Sequence, residues 1–242
     1  MKIAILISGQ PRNYREGFEE IKKAYLDKYD CDVYIHTWEG GNFEATQFFA
    51  DRPKQVYKYG ETYLSELLEL YKPKAYKFEN PIIFDDKGIV DSMWRQPLQN
   101  SKSMWYSVKQ SYDLVDGEYD CYIRTRFDLR YEDSTLDLNS LDLSKLHMWN
   151  WDTDQRVKHR GYYDVFAMGN KTNIGIYSSL YTKMNWYLQY DEDYYQFLSG
   201  GWPGQDTGLR NEYLLKWHLT KSNIETQIHN TNMQNADGQI IR

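Results

Sequence analysis

Arginine and aspartate alternate near the middle of the chain in a pattern that suits a phosphorylated ligand. Residues 119–129 read YDCYIRTRFDL, which predicts a buried strand that ends in charged side chains. Side chains alternate between faces along a strand, so Arg124, Arg126 and Asp128 share one face. A carboxylate there can hold a divalent cation that bridges a diphosphate, and the arginines can bind phosphate oxygens directly. The alternative is an internal salt-bridge network, because buried charges need partners.

A second polar loop follows the first predicted strand. Residues 2–8 form an apolar run typical of a strand buried on both faces, and Gly9 closes it. A helix N-terminus with nearby arginines is a ready diphosphate site, so Gly9, Arg12 and Arg15, next to Ser8, are candidates to bind a diphosphate. A tight turn with solvated arginines is the alternative. The loop is neither a GxGxxG nor a Walker sequence, which removes the main support for a dinucleotide oxidoreductase or a P-loop NTPase.

A third polar stretch ends the second predicted strand. His36 and Thr37 stand there beside Trp38, and His36 could stack on or hydrogen-bond a base or ribose. The alternative is a capped strand end with Trp38 packed in the core.

These loops require elements that bring them together. A strand at 2–8, a helix at 14–29 and a strand at 32–37 form a βαβ unit, which predicts a parallel sheet with right-handed crossovers. Ligands of such sheets bind beyond the carboxyl ends of the strands, where the strand order switches.

The remaining pattern continues the α/β alternation. Helices are predicted at 61–71, 101–115, 170–188 and 205–219, and strands at 75–78, 119–125, 146–150 and 164–168. An irregular loop is predicted at 80–99, a solvated acidic turn at 191–195, and little pattern after Asn223. No repeat or linker interrupts the 242 residues, so we expect a single domain.

Composition excludes several classes of protein. With 29 Lys and Arg against 35 Asp and Glu, the net charge of −6 lacks the basic footprint of nonspecific nucleic-acid binding. No apolar stretch approaches the ~20 residues of a membrane span, and no secretory signal opens the sequence. Two cysteines do not make a disulfide framework. We therefore expect a cytoplasmic protein, in the host cytoplasm if the source is viral.

Three segments together carry a family resemblance. ISGQPR, VYIHTW and YIRTRFDL occur in that order within residues 1–170. They resemble small glycosyltransferase-like proteins of bacterial polysaccharide loci and of large DNA viruses and phages. The resemblance implies the GT-A fold, a Rossmann-like, mostly parallel sheet flanked by helices. It also implies sugar transfer from a nucleotide-diphospho-sugar to a glycan or other hydroxyl acceptor. The implied donor-binding residues are Ser8, Gly9, Arg12, His36, Thr37, Arg124 and Arg126.

The resemblance also implies a metal site with one departure from the family pattern. The GT-A signature Asp-X-Asp binds a divalent cation (Mn²⁺ or Mg²⁺) and the diphosphate, and here it corresponds to Arg126-Phe127-Asp128. Only Asp128 carries over as a ligand, and Arg126 could neutralise phosphate in place of the metal. His229 matches the last metal ligand that many members supply from the tail, although a surface histidine is the alternative.

A short downstream match bears on catalysis. Residues 202–207, WPGQDT, resemble the Gln-Asp segment of retaining GT-A enzymes such as the glycogenin-like group. Asp206 would stabilise oxocarbenium charge or act as a general base, and Asp128 is the second implied catalytic residue. A helix cap is the alternative for Asp206. The acceptor would bind near Trp151, Asp164 and Trp202, which divides the domain into a nucleotide-sugar half at 1–130 and an acceptor half at 131–242.

Two other functions remain open from the sequence. A sugar nucleotidyltransferase would use a related sheet, but its first loop is usually rich in glycine and lysine, and this loop has no lysine. A nucleotide- or carbohydrate-binding protein without turnover is the other, because the first acid of the Asp-X-Asp signature is missing.

Overall fold

The structure is a computed structural model that describes residues 1–40, 42–44, 56–85, 98–131, 136–150, 161–199, 211–230 and 241. Its strands are β1 (Lys2–Ser8), β2 (Asp30–Trp38), β3 (Asn42–Glu44), β4 (Val56–Lys58), β5 (Ala75–Glu79), β6 (Cys121–Thr125), β7 (Leu146–Asn150), β8 (Ala167–Gly169) and β9 (Thr226–Asn230). Its α-helices are α1 (Tyr14–Ile21), α2 (Tyr63–Tyr71), α3 (Leu98–Asp113), α4 (Lys171–Tyr190), α5 (Glu192–Ser199) and α6 (Asn211–Lys221). A π-helical turn, Lys22–Leu26, continues α1, and a 3-10 turn spans Leu138–Ser140.

Seven strands form one mostly parallel sheet in the order β5-β2-β1-β6-β8-β7-β9. β8 runs antiparallel to both neighbours, and every other adjacent pair is parallel. β3 and β4 pair separately as an antiparallel hairpin. The sheet confirms the expected α/β class, with a mostly parallel central sheet flanked by helices.

Both faces of the sheet are covered. Ile3, Ile5 and Ile7 of β1 pack into a core with α1 and α2, whereas Ala4 and Leu6 pack into a second core with α3, α4 and α6. The continuous apolar run of β1 is therefore explained, because both of its faces lie under helices.

The strand order switches direction beside β1. The chain passes from β1 to β2 and then to β5 on one side, and β6 lies on the other side of β1. The loops that leave β1 and β6 are therefore neighbours at the switch point, where open α/β sheets bind ligands. Because β8 is antiparallel, its beginning lies at the same edge as the end of β6.

Gly17 of α1 meets the segment that follows β6. A Cβ atom at this position would overlap the backbone carbonyl of Phe127. The absence of a side chain at Gly17 thus lets α1 lie directly on the backbone between Arg126 and Asp128.

Several sequence predictions need correction. The helix expected at 14–29 changes to a π-helical turn after Ile21, and the strand expected at 164–168 is shorter, Ala167–Gly169. The solvated turn at 191–195 is wrong, because α5 begins there. Asp191 is buried and accepts a hydrogen bond from Trp217 Nε1 at 2.8 Å. The tail forms β9 alongside β7.

In the part of the chain that the structure describes, no helix has both the length and the apolar character needed to cross a lipid bilayer.

Candidate functional site

Most predicted site residues gather at the carboxyl edge of the sheet. β1 and its loop carry Ser8, Gly9 and Arg12; the end of β2 carries His36 and Thr37; β6 and its loop carry Arg124, Arg126 and Asp128; and Asp164 precedes β8. His229 lies on β9. The predicted residues Trp151, Trp202 and Asp206 lie outside the described ranges.

Asp128 is the centre of a buried charge cluster. Arg126 binds it through two hydrogen bonds, from Nε to Oδ1 and from Nη2 to Oδ2, both 2.8 Å long. Arg12 adds a second guanidinium, with Nε 3.7 Å from Oδ2. Burial opposes ionisation of Asp128, but the charges of Arg126 and Arg12 outweigh it and lower its pKa below the ordinary value. These three side chains bring two positive charges and one negative charge to this edge of the sheet.

The described residues do not fit a divalent cation at Asp128. Both carboxylate oxygens of Asp128 engage guanidinium groups, which would repel a metal ion. The described part of the chain also holds no group of three His, Cys, Asp or Glu side chains able to bind one.

His229 does not join Asp128. β8 and β7 lie between β6 and β9 in the sheet. His229 Nε2 instead lies 2.8 Å from His147 Nδ1, and the two rings stack with their centroids 5.1 Å apart. Burial and the neighbouring His147 lower the pKa of His229. The structure thus places this histidine in a pair between strands.

The loop after β1 turns sharply and leaves open space beside Gly9. Gly9 has φ of +110°, which favours glycine, and no other described residue beyond its chain neighbours places an atom within 4 Å of where its Cβ would be. Asn13 also has positive φ, and its Nδ2 donates to the carbonyl of Ile241 at 2.5 Å. Ile241 N in turn donates to the Asp128 carbonyl at 2.9 Å. One residue near the end of the chain therefore bridges the two loops.

At this edge, some buried polar atoms have no hydrogen-bond partner among the described residues. They are Ser8 Oγ, on a residue 3% exposed, and Arg124 Nε, on a residue 1% exposed. Their strands are adjacent, because Leu6 pairs with Arg124 in the register of β1 and β6. An unpaired buried polar group costs about 1–3 kcal/mol, so such atoms at a sheet edge mark a place where a ligand could supply partners.

His36 and Thr37, predicted to touch a donor, are enclosed by protein instead. Both are 0% exposed. Thr37 Oγ1 donates to the Gly9 carbonyl at 2.7 Å, and His36 lies between Ser107 Oγ (2.7 Å) and Glu79 Oε1 (2.8 Å). Burial lowers the pKa of His36, although Glu79 acts in the opposite direction. Thr37 contacts the site by its hydrogen bond to the Gly9 carbonyl, and His36 is connected to Gly9 by Ser107.

Asp164 has a different electrostatic setting from Asp128. Its backbone carbonyl accepts hydrogen bonds from Arg124 Nη1 and from Tyr177 OH, the latter at 3.2 Å. Its carboxylate forms no ion pair with any described residue. Burial raises the pKa of Asp164, and the charges of Arg124 and Arg126 only partly oppose this effect. A carboxyl group with a raised pKa is a stronger proton acceptor than an ordinary aspartate.

The sequence did not reveal Ser107, Glu79, Asn13 or Ile241 as parts of the site. Ser107 is a buried serine on the sheet-facing side of α3, and Ser111 recurs one turn later. A serine in a helix rich in aromatic residues could have suggested a buried hydroxyl group, but the sequence does not show which residues it would contact.

Comparisons with known proteins give a likeness in structure and none in sequence. No family model matches the chain, and no curated protein matches its sequence. Among solved structures, the chain is similar to the active-site mutant Q189E of LgtC. The match has 11% identity and a TM-score of 0.47, and it covers 95% of this chain and 73% of that chain. At this level of likeness the activity is left open.

Proposed function

We propose that this chain is a GT-A-like glycosyltransferase that transfers a sugar from a nucleotide-diphospho-sugar to a hydroxyl acceptor. One observation carries the proposal. At the switch point of the sheet, two arginines share a single buried carboxylate next to the open backbone of Gly9. A net positive, preorganised cluster in that position suits a diphosphate.

Arg12 and Arg126 are the groups proposed to bind the diphosphate. Their side chains are 28% and 20% exposed, so each retains a face toward solvent, whereas Asp128 is enclosed. Sugar transfer leaves negative charge on the departing diphosphate. Fixed guanidinium groups stabilise that charge without rearranging during the reaction. Asp128 then holds the two arginines in place, and no step of this proposal passes through a metal ion.

The acceptor is proposed to bind on the β8 side of the cluster. Asp164 would accept a hydrogen bond from the acceptor hydroxyl and take its proton, as its raised pKa permits. Ser8 Oγ and Arg124 Nε would gain partners from the transferred sugar or its phosphates. The sequence-based roles of Trp151, Trp202 and Asp206 complete this half of the proposal.

A second candidate is a diphosphate-binding protein without turnover. The engagement of both oxygens of Asp128 favours it, because this carboxylate is not free for a catalytic cation or for chemistry. The two candidates share a donor site and differ in whether the donor is consumed.

The test is a thermal-shift screen with UDP-, GDP- and dTDP-sugars, and with CMP-sugars as a monophosphate control. Each is measured with EDTA and with Mn²⁺ or Mg²⁺. A bound donor raises the melting temperature by mass action. We expect a shift with one diphospho-sugar class, retained in EDTA, and none with CMP-sugars.

Two arginine variants and a product assay complete the test. Arg12→Ala should abolish the shift, whereas Arg15→Ala should retain it, because Arg15 is exposed and paired with Glu66. Release of nucleoside diphosphate from the donor supports the transferase, whereas release of pyrophosphate from a nucleoside triphosphate and a sugar 1-phosphate would establish nucleotidyl transfer instead. Binding without turnover in the presence of glycan acceptors supports the second candidate. A shift with no diphospho-sugar would overturn the donor site itself.

A further inference from the structure

The backbone amide and the backbone carbonyl of Gly9 each form a hydrogen bond with a side chain from another element. Gly9 N donates to Ser107 Oγ of α3 at 2.8 Å and makes a longer contact with the His36 carbonyl at 3.3 Å. The Gly9 carbonyl accepts from Thr37 Oγ1 of β2 at 2.7 Å. Ser107 and Thr37 are both 0% exposed. They are therefore part of the interior and cannot themselves touch a ligand in this structure.

The hydrogen bonds that connect Ser107 to His36 and His36 to Glu79 have a defined order of donors and acceptors. Hydrogen bonds from Lys77 and His36 outweigh burial and lower the pKa of Glu79, so this carboxylate is ionised and can only accept. His36 Nε2 must then carry the proton that it donates to Glu79. Burial lowers the pKa of His36 and keeps the ring neutral, so Nδ1 is bare.

A bare Nδ1 fixes the orientation of the serine. Ser107 must donate its hydroxyl proton to His36 Nδ1, and its oxygen is then turned to accept from Gly9 N. The chain of donors runs from Gly9 through Ser107 and His36 to Glu79. Hydrogen bonds aligned in this way polarise and strengthen one another.

The chain of hydrogen bonds secures a turn that needs support. Gly9 has φ of +110° and leads, within three residues, to Arg12 at the charge cluster. A glycine loses much conformational freedom when it is fixed in one state. Without external hydrogen bonds, the loop that carries Arg12 would sample other conformations.

We propose that Ser107 and Thr37 are positioning residues that preorganise the Gly9 turn, and through it Arg12, for a bound diphosphate. This inference rests on the proposed function, since it assumes that the cluster at Arg12 binds a diphosphate. Preorganisation raises affinity because less ordering remains to be done on binding.

The experiment compares matched variants with inorganic pyrophosphate as the probe. Ser107→Ala and Thr37→Val remove the hydroxyl groups that hold Gly9. Ser111→Ala is the matched control, because Ser111 is an equally buried serine of α3 that donates to Val108 within its own helix. Thr37→Ser keeps the hydroxyl group and should restore the wild-type result.

Two readouts separate positioning from general destabilisation. Hydrogen exchange of the Gly9 amide, followed by NMR, should accelerate at least tenfold in Ser107→Ala and remain unchanged in Ser111→Ala. The pyrophosphate dissociation constant should rise about tenfold in Ser107→Ala and Thr37→Val, and stay within twofold of wild type in Ser111→Ala and Thr37→Ser.

The outcomes distinguish this inference from the proposed function. If the wild type binds pyrophosphate and the variants bind equally well, the positioning role is overturned and the donor site stands. If the wild type binds neither pyrophosphate nor any nucleoside diphosphate, the donor site fails, and the positioning role fails with it. Equal losses in Ser107→Ala and Ser111→Ala would also overturn the inference, because both would then reflect loosening of α3.

Discussion

The end of β6 and the beginning of β8 present two carboxylates at the same edge of the sheet in opposite electrostatic states. Burial opposes ionisation of both Asp128 and Asp164. At Asp128, the charges of Arg126 and Arg12, together with the hydrogen bonds from Arg126, reverse this effect, and the pKa is lowered. At Asp164, the arginines act without an ion pair, and the pKa is raised.

The difference shows how two aspartates at the same edge of the sheet can have different chemical properties. A carboxylate held by two hydrogen bonds is a fixed anion that orders its cations, whereas a desolvated carboxylate without such bonds can exchange protons. Carboxyl groups whose surroundings separate their pKa values often divide catalytic roles between them. Under the proposed function, Asp128 would hold the arginines in place and Asp164 would take up the proton of the acceptor.

The largest effect on stability is expected when the charge of Asp128 is removed. Asp128→Asn leaves two guanidinium groups without their anion, and breaking a buried ion pair costs about 3–5 kcal/mol. We expect a loss of that size in the free energy of unfolding, measured with urea. The exposed Asp30→Asn is the control. A loss below ~1 kcal/mol would be typical of a surface residue and would contradict the structural role.

A smaller change keeps the charge at residue 126 and removes the paired geometry. Arg126→Lys cannot form two parallel hydrogen bonds to Asp128, so we expect a loss of about 1–2 kcal/mol in the free energy of unfolding. The pKa of Asp128, followed by NMR, should rise toward its ordinary value. An unchanged pKa would show that charge alone, without the paired hydrogen bonds, sets the state of Asp128.

The substitution Asp164→Asn should match the wild type in stability at acidic pH and exceed it once the pH has risen through the folded pKa of Asp164. That folded pKa is raised, so this residue's contribution to stability is present below the unfolded pKa and is lost as pH rises through the folded value. Relative to Asp164→Asn, the wild type should therefore lose stability as the pH rises above the ordinary aspartate pKa, by about 1.4 kcal/mol per unit of pKa shift. Urea unfolding from acidic to neutral pH measures the difference. A difference that grows in the opposite direction would place Asp164 in an ion pair.

The smallest expected effect concerns the partner once predicted for Asp128. His229→Gln disturbs only the pair with His147, so we expect a loss near ~1 kcal/mol in the free energy of unfolding. Donor binding in Mn²⁺ should match the wild type. A selective loss of the Mn²⁺ response would instead connect β9 to the donor site.

Much of the parallel sheet could be predicted because its strands are continuous apolar runs. β1 and β7 were predicted with the bounds that the structure gives. Strand alternation was expected to place Arg126 and Asp128 on one face, but β6 ends at Thr125, so their paired hydrogen bonds form in the turn that follows the strand. The short β3–β4 hairpin was missed, since three-residue strands carry little periodicity.

The errors arise where a distant contact overrides the local pattern. Asp191 begins an acidic run that resembles a solvated turn, but Trp217 supplies it with a buried hydrogen bond. His36 and Ser107 are 71 residues apart, and neither spacing nor composition reveals that they meet. The sequence left open whether Asp128 belongs to a ligand site or to a salt-bridge network, and the described contacts pair its carboxylate with Arg126 and Arg12.

The contact between Gly17 and Phe127 limits how the chain can vary. A side chain at position 17 would overlap backbone, which cannot rotate away. In a saturation library, position 17 should accept glycine alone, whereas the neighbouring exposed position, Glu16, should accept nearly any residue. Substitutions that shift α1 would therefore also shift the loop after β6. Changes near Arg12 and changes near Arg126 and Asp128 should consequently be constrained by one another.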